Sequence, residues 1–152
     1  MIKTHVCNAY IYNSSEIDKM GYAHVCRVAN YARTESERNV ALCHDLLEDG
    51  YATSNQLKEW GLSEEEVCAV NYLTRDDAAS YNDYIDSIIA SAQEGKIGAD
   101  LALQVKMYDL FDHLTLYGIH NITYVKAKRY IKALDKIAKS FCRRGKDDST
   151  SS

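Results

Sequence analysis

The stretch VALCHDLLEDG, residues 40–50, joins an apolar run to a histidine and a group of acidic residues. It has the pattern of the last turns of a buried helix, with Gly50 where a left-handed cap would end that helix. Three carboxylates then crowd the helix C-terminus, where the macrodipole already places partial negative charge: Asp45, Glu48 and Asp49. His44 directly precedes them. Imidazole and carboxylate groups are ligands of divalent transition metals, so the stretch indicates a bound cation.

Helical periodicity predominates in the rest of the chain. The sequence contains no proline and no sustained alternation of apolar and polar residues, which argues against a sheet-based fold. We therefore predict an all-α protein. Thr53 is predicted to cap a short helix that stops at Gly61, and Ser63 with Glu66 forms a capping-box pattern that introduces the next one. The remaining predicted helices cover residues 21–33, 37–49, 80–93, 99–116 and 123–142.

Length and composition favour one domain. A chain of 152 residues with 46% hydrophobic content can bury a single sizeable core. We expect this compact multi-helix domain to cover residues 1–143. The remaining residues, 144–152, are charged and serine-rich, and we expect them to form a disordered tail.

Charge and hydropathy limit the partners that the chain is expected to have. The net charge of −4 gives no broad attraction to nucleic acid or to an anionic membrane, so an anionic small molecule would need a local basic pocket. We find no apolar run long enough for a membrane span and no basic region followed by an apolar core at the N-terminus. A soluble cytoplasmic protein is therefore expected, and a homo-oligomer stays open.

Two further residues are candidates for metal binding. Asp109 lies among apolar residues of a predicted helix, and a buried carboxylate is costly unless it is paired or coordinates a cation. Lys106, three residues earlier, is the simple alternative partner. His24 lies on the first long predicted helix, where a lone histidine is more often a core residue with a satisfied hydrogen bond.

The order of a histidine, a His-Asp pair and a later aspartate resembles the signature of the HD-domain metal-dependent phosphohydrolase superfamily. Here it is carried by His24, His44-Asp45 and Asp109. The segment HDLLED, residues 44–49, resembles the HDxxED motif of the RelA/SpoT hydrolases and their small stand-alone relatives. Those enzymes remove pyrophosphate from the 3′ position of guanosine tetra- and pentaphosphate. The resemblance spans roughly residues 19–116 and implies a single HD domain.

The resemblance also implies the roles of individual residues. One divalent ion, typically Mn²⁺, would be held by His24, His44, Asp45 and Asp109. Glu48 and Asp49 match the acidic pair that positions or activates the attacking water, and such a carboxylate is what metal-assisted hydrolysis requires as a proton acceptor. The substrate would be a small nucleotide. Residues expected to contact it are Lys19, Arg75, Tyr81, Lys106 and His113.

The sequence departs from the family pattern at two places. His113 stands four residues after the last metal aspartate, where the family has an asparagine associated with nucleotide contacts. The segment 19–23 is shorter than the family's basic loop, and Val25 replaces the proline that commonly follows the first metal histidine. Two alternatives therefore stay open: an HD enzyme that hydrolyses (deoxy)nucleoside mono- or triphosphates, and a non-catalytic nucleotide-binding regulatory module.

Overall fold

The described part of the chain contains nine helices, joined by turns and short loops. The computed structural model describes residues 1–13 and 19–150, without the side chains of residues 19, 116–117 and 147–150. The helices are α1 (Ile2–Asn13), α2 (Lys19–Asn30), α3 (Glu35–Cys43), α4 (Ser54–Glu59), α5 (Glu64–Leu73), α6 (Tyr81–Gln93), α7 (Ala99–Leu114), α8 (Leu116–Ile119) and α9 (Tyr124–Thr150). The prediction of an all-α fold is confirmed, because the described residues contain no strand.

Helix α7 lies at the centre of the packing. It contacts α2, α3, α5, α6, α8 and α9, and the residues that it buries include Ala102, Leu103, Val105 and Leu110. One core of buried side chains extends from α1 to α9, and its fully buried members include Val25, Val40 and Ile137. Any polar residue on the inner faces of α7 is therefore surrounded by neighbouring helices.

The predicted caps are present. Thr53 and Ser63 each accept a hydrogen bond from the backbone N–H three residues later, and the side chains of Gln56 and Glu66 each accept one from the cap backbone N–H in return. These capping boxes satisfy N–H groups that the first turn of a helix leaves unpaired. The first turns of α4 and α5 are thereby fixed.

Helix α3 ends at Cys43, six residues before the predicted end, and turns occupy residues 44–50. The His44 ring places Nδ1 2.7 Å from the carbonyl oxygen of Ala41. A continuing helix would offer that carbonyl to the backbone N–H of Asp45, so the side chain replaces a helical hydrogen bond. Gly50 has φ of 72°, which confirms the predicted left-handed residue at the end of this segment.

The two ends of the chain are more helical than predicted. Helix α1 has no predicted counterpart, although Val6, Ala9 and Tyr10 form a buried stripe at helical spacing. Helix α9 continues to Thr150, into the segment 144–152 for which the sequence predicts a disordered tail. Arg144 lies at the start of this extension. It pairs with Asp100 on α7 and lies 5.0 Å from the ring centre of Phe141, and both contacts stabilise the helix there.

Within residues 1–13 and 19–150, no helix has the length and apolarity needed to cross a membrane.

Gly98 fixes where α7 begins relative to α5. Its φ is +79°, and a Cβ atom there would lie 2.7 Å from the carbonyl oxygen of Glu65 and 2.8 Å from the backbone nitrogen of Ala69. Both contacts are to backbone, which cannot move aside as a flexible side chain can. The close approach of these two helices therefore requires glycine.

We expect Gly98→Ala to lower the free energy of unfolding by about 2–5 kcal/mol, because a left-handed backbone costs about 1–2 kcal/mol and overpacking about 1–3 kcal/mol. Gly95→Ala is the matched control, since Gly95 has φ of +69° but a Cβ atom there would have no neighbouring atom within 4 Å. Urea denaturation of both variants measures the difference. Equal losses of stability would mean that α5 yields to the added methyl group.

Candidate metal centre

Three helices bring the four predicted metal ligands together. His24 comes from the middle of α2, His44 caps α3, Asp45 follows it in the turn, and Asp109 lies on α7. His24, His44 and Asp109 are buried, and the Asp45 side chain is 29% exposed. The residues are 85 positions apart at the extremes, so only the packing of α2 and α3 on α7 makes them neighbours.

The distances between the ligand atoms suit one metal ion. His24 Nε2 lies 3.0 Å from Asp109 Oδ1 and 3.8 Å from Asp45 Oδ2. His44 Nε2 lies 3.2 Å from Asp45 Oδ1 and 3.5 Å from Asp109 Oδ1. Atoms that each bind an ion at about 2.1 Å are separated by about 3.0 Å at a right angle and about 3.4 Å at a tetrahedral angle. These buried histidines and aspartates could therefore hold a divalent cation.

Both histidines are oriented by their other ring nitrogen. His24 Nδ1 donates to Asp112 Oδ2 at 2.7 Å, and His44 Nδ1 donates to the carbonyl of Ala41 at the same distance. In its neutral form, each ring would therefore present the Nε2 lone pair to the carboxylates. His44 Nε2 is buried without a hydrogen bond in the part of the chain that the structure describes. A lone pair facing anionic oxygens is unfavourable unless a proton or a cation lies between them.

Asp112 and Arg27 are the parts of this centre that the sequence analysis missed. Asp112 is 2% exposed, and Arg27 donates to both of its carboxylate oxygens at 2.8 and 2.9 Å. Burial opposes the charged form, but Arg27 and His24 outweigh it and lower the pKa of the Asp112 carboxyl. The signal was available in the spacing, because Arg27 follows His24 by three residues and Asp112 follows Asp109 by three.

The buried Asp109 carboxylate has more compensating neighbours than the other carboxylates of the site. Its Oδ2 atom accepts a hydrogen bond from Lys106 Nζ at 2.7 Å, which confirms the pairing considered from the sequence. Burial would raise the pKa of this carboxyl, but Lys106 and three histidines hold that pKa well below its ordinary value. Burial likewise opposes the protonation of His44, yet Asp45 and Asp109 raise the pKa of His44 to about 9. The centre thus favours positive charge around anionic oxygens.

A cavity of about 220 Å³ opens over Asp45 and Asp109. Five other residues that the sequence predicts for catalysis or substrate binding line it: Glu48, Arg75, Tyr81, Lys106 and His113. Glu48 and Asp49 are both exposed, but Asp49 is absent from the cavity wall. Lys19 begins α2, and its side chain lies outside the described residues.

The rest of the wall comes from Tyr84 and from three residues of α9. Tyr84 buries its ring and donates from its hydroxyl to the carbonyl of Leu73 at 2.8 Å. Helix α9 contributes Lys126, Arg129 and Tyr130. Their spacing of three and four residues places them on one face of α9, but nothing in the sequence shows that this face turns toward the metal ligands.

Comparison of the chain with protein-family models and with curated protein sequences gave no match.

We expect Asp112→Asn to weaken Mn²⁺ binding by about 10–100-fold, the usual effect of losing a residue that orients a metal-binding histidine. Isothermal titration calorimetry measures the affinity, and circular dichroism checks that the helices persist. Asp86→Asn is the matched control, because Asp86 makes an exposed ion pair with Lys136 at 2.8 Å. Equal affinities of the Asp112 variant and the control would remove Asp112 from the centre.

Proposed function

We propose that this protein is a metal-dependent phosphohydrolase that acts on a nucleotide, most specifically a guanosine tetra- or pentaphosphate 3′-pyrophosphohydrolase. The observation that carries the proposal is the position of the cavity. Metal-ligand candidates Asp45 and Asp109 form part of its wall, and Lys and Arg side chains form another part. This combination suits a substrate whose phosphate group is to be cleaved.

The charges of the cavity support a phosphorylated substrate. Its wall contains four Lys and Arg residues and three carboxylates, and a divalent ion would make the balance clearly positive. Arg75, Lys126 and Arg129 have no carboxylate within ion-pair distance in the described ranges 1–13 and 19–150. These cations are therefore available to phosphate oxygens. This is the local basic pocket that a protein with a net charge of −4 needs in order to bind an anion.

The size of the cavity supports binding of the phosphate end. Its volume of about 220 Å³ lies below the range of about 300–1,000 Å³ that is typical for whole small-molecule ligands. The phosphate groups would occupy the cavity, while sugar and base would extend toward its opening. Tyr81 and Tyr130, whose ring centres lie 5.8 Å apart, offer aromatic surface beside the cations.

The proposed reaction uses Glu48 as the proton acceptor. His24, His44, Asp45 and Asp109 would hold a divalent ion, which would lower the pKa of bound water and neutralise charge on the phosphoryl oxygens. The family resemblance favours Mn²⁺. Glu48 takes the proton as water attacks the phosphorus attached to the 3′ oxygen. The phosphorus–oxygen bond breaks, the 3′ oxygen takes up a proton, and pyrophosphate leaves. We assign this role to Glu48 rather than Asp49 because Glu48 lines the cavity.

Guanosine tetraphosphate is expected to yield guanosine diphosphate and pyrophosphate in the presence of Mn²⁺. The purified protein should be assayed against it together with a panel of nucleoside mono- and triphosphates, with products identified by chromatography. Release of phosphate or triphosphate from an ordinary nucleotide would instead favour the alternative HD nucleotidase. Binding of metal and nucleotide without turnover of any substrate would favour the regulatory module.

Glu48→Gln is expected to keep the metal but reduce kcat by about 10²–10⁴-fold, because only the proton acceptor is lost. Asp45→Ala should lose both the metal and the activity, since it removes a candidate metal ligand. Elemental analysis and single-turnover rates separate the two effects. Glu59→Gln serves as the control, because Glu59 is exposed at the end of α4 and lines none of the cavity. A larger loss in Asp49→Asn than in Glu48→Gln would assign the base to Asp49.

A further inference from the structure

His113 lies closer to the metal ligands than a residue that only contacts substrate needs to be. Its Nε2 atom is 3.1 Å from Asp109 Oδ1, almost the same as the 3.0 Å that separates His24 Nε2 from that oxygen. His44 Nε2 lies 3.5 Å from it. Three imidazole nitrogens thus converge on one carboxylate oxygen, which has lone pairs for only two hydrogen bonds.

Packing fixes the position of the His113 ring. The ring stacks on His24 with 4.6 Å between ring centres and on Tyr130 with 5.1 Å. The angles between the ring planes are 29° and 30°. His113 is therefore held between a metal-ligand candidate and the wall of α9, with its side chain 30% exposed to the cavity.

Two groups of side chains have the spacing of a metal site: His24 with His44 and Asp45, and His24 with Asp109 and His113. His24 belongs to both, yet its Nδ1 is already engaged by Asp112. Only Nε2 of His24 is available, and one imidazole nitrogen binds one ion. Because the two groups share this one nitrogen, they cannot hold two separate cations at the same time.

We propose that His113 is a fifth protein ligand of this ion, beside His24, His44, Asp45 and Asp109. The proposal rests on the metal site of the proposed function and specifies its cofactor. The separation of 3.1 Å from Asp109 Oδ1 is that of two ligand atoms at a right angle around an ion with bonds of about 2.1 Å. Lys106 occupies Asp109 Oδ2, so Oδ1 is the oxygen left for the ion.

The fifth ligand changes which metal the site prefers. Carboxylates suit Mn²⁺ and Mg²⁺, whereas imidazole favours Zn²⁺, Ni²⁺ and Fe²⁺. A set of three imidazoles and two carboxylates shifts the metal preference toward Zn²⁺, Ni²⁺ and Fe²⁺. His113 replaces a family asparagine at this position, so this chain would differ from the resembled enzymes in its metal as well as in its substrate contact.

Cadmium-113 nuclear magnetic resonance on the nitrogen-15-labelled wild-type protein tests the proposal directly. Cadmium is the probe because coupling between it and an imidazole nitrogen occurs only through a metal–ligand bond. The chain has five histidines, so the imidazole spectrum is simple to assign. We expect coupling to three of them. Coupling to two, with the same two retained in His113→Asn, would overturn the proposal.

Competition titrations of the variants provide a second measurement. His113→Asn is expected to reduce the preference for Zn²⁺ over Mn²⁺ by about tenfold or more, as losing one imidazole ligand should. His120→Asn is the matched control, because His120 is an exposed histidine beyond α7. If His113 only donates a hydrogen bond to Asp109, His113→Asn would weaken the binding of Zn²⁺ and Mn²⁺ equally. The preference for Zn²⁺ over Mn²⁺ would then be unchanged, which would overturn the proposal.

The outcomes separate this proposal from the proposed function. Hydrolysis with Mn²⁺ together with only two coupled imidazoles would overturn the fifth ligand and leave the phosphohydrolase assignment intact. Absence of any coupling, with no metal retained by the folded wild-type protein, would overturn both.

Discussion

Burial of the Asp109 carboxylate is the constraint on which the site depends. A charge inside a helical core is costly unless other groups compensate it. Here Lys106 takes one oxygen at 2.7 Å, and imidazole nitrogens surround the other. The lysine compensates the charge at Oδ2 and leaves Oδ1 to the histidines. The arrangement therefore avoids an unpaired carboxylate in the core, and the surrounding His and Asp side chains could hold a cation.

The two sides of α7 have different tasks. Residues 106, 109 and 113 lie on one side, where they meet the cavity. Asp112 projects from an adjacent side toward α2, where it orients His24 and is itself held by Arg27. Because α7 is packed against several helices, these side chains have fixed relative positions. The close contact of α7 with α5 at Gly98 adds a second constraint, since any shift of α7 along its axis would move Asp109 together with Lys106 and Asp112.

The sequence predicts the parts of this arrangement that depend on local patterns. Helical spacing, the capping boxes at Thr53 and Ser63, and Gly50 all follow from residues within a few positions of each other. The sequence also selects the four candidate metal ligands that the structure brings together, through a resemblance rather than through geometry. The end of α3 was predicted wrongly because a side chain, His44, takes a backbone carbonyl that periodicity assigns to the helix. Contributions from α9 depend on long-range packing, which no local pattern encodes.

The cavity extends this reasoning from the candidate metal centre to the proposed substrate. A metal ion at the candidate centre would attract any anion, but the wall adds positive charge from three separate parts of the chain: Arg75 after α5, Lys106 on α7, and Lys126 with Arg129 on α9. Lys106 is committed to Asp109, whereas Arg129 lies over the Tyr81 ring at 5.5 Å. Arg129 can therefore bind phosphate oxygens while the ring limits its side-chain freedom. Under the proposed function, such preorganisation would favour a substrate with several phosphate charges over a monophosphate, because a single phosphate at the ion would leave the more distant cations unused.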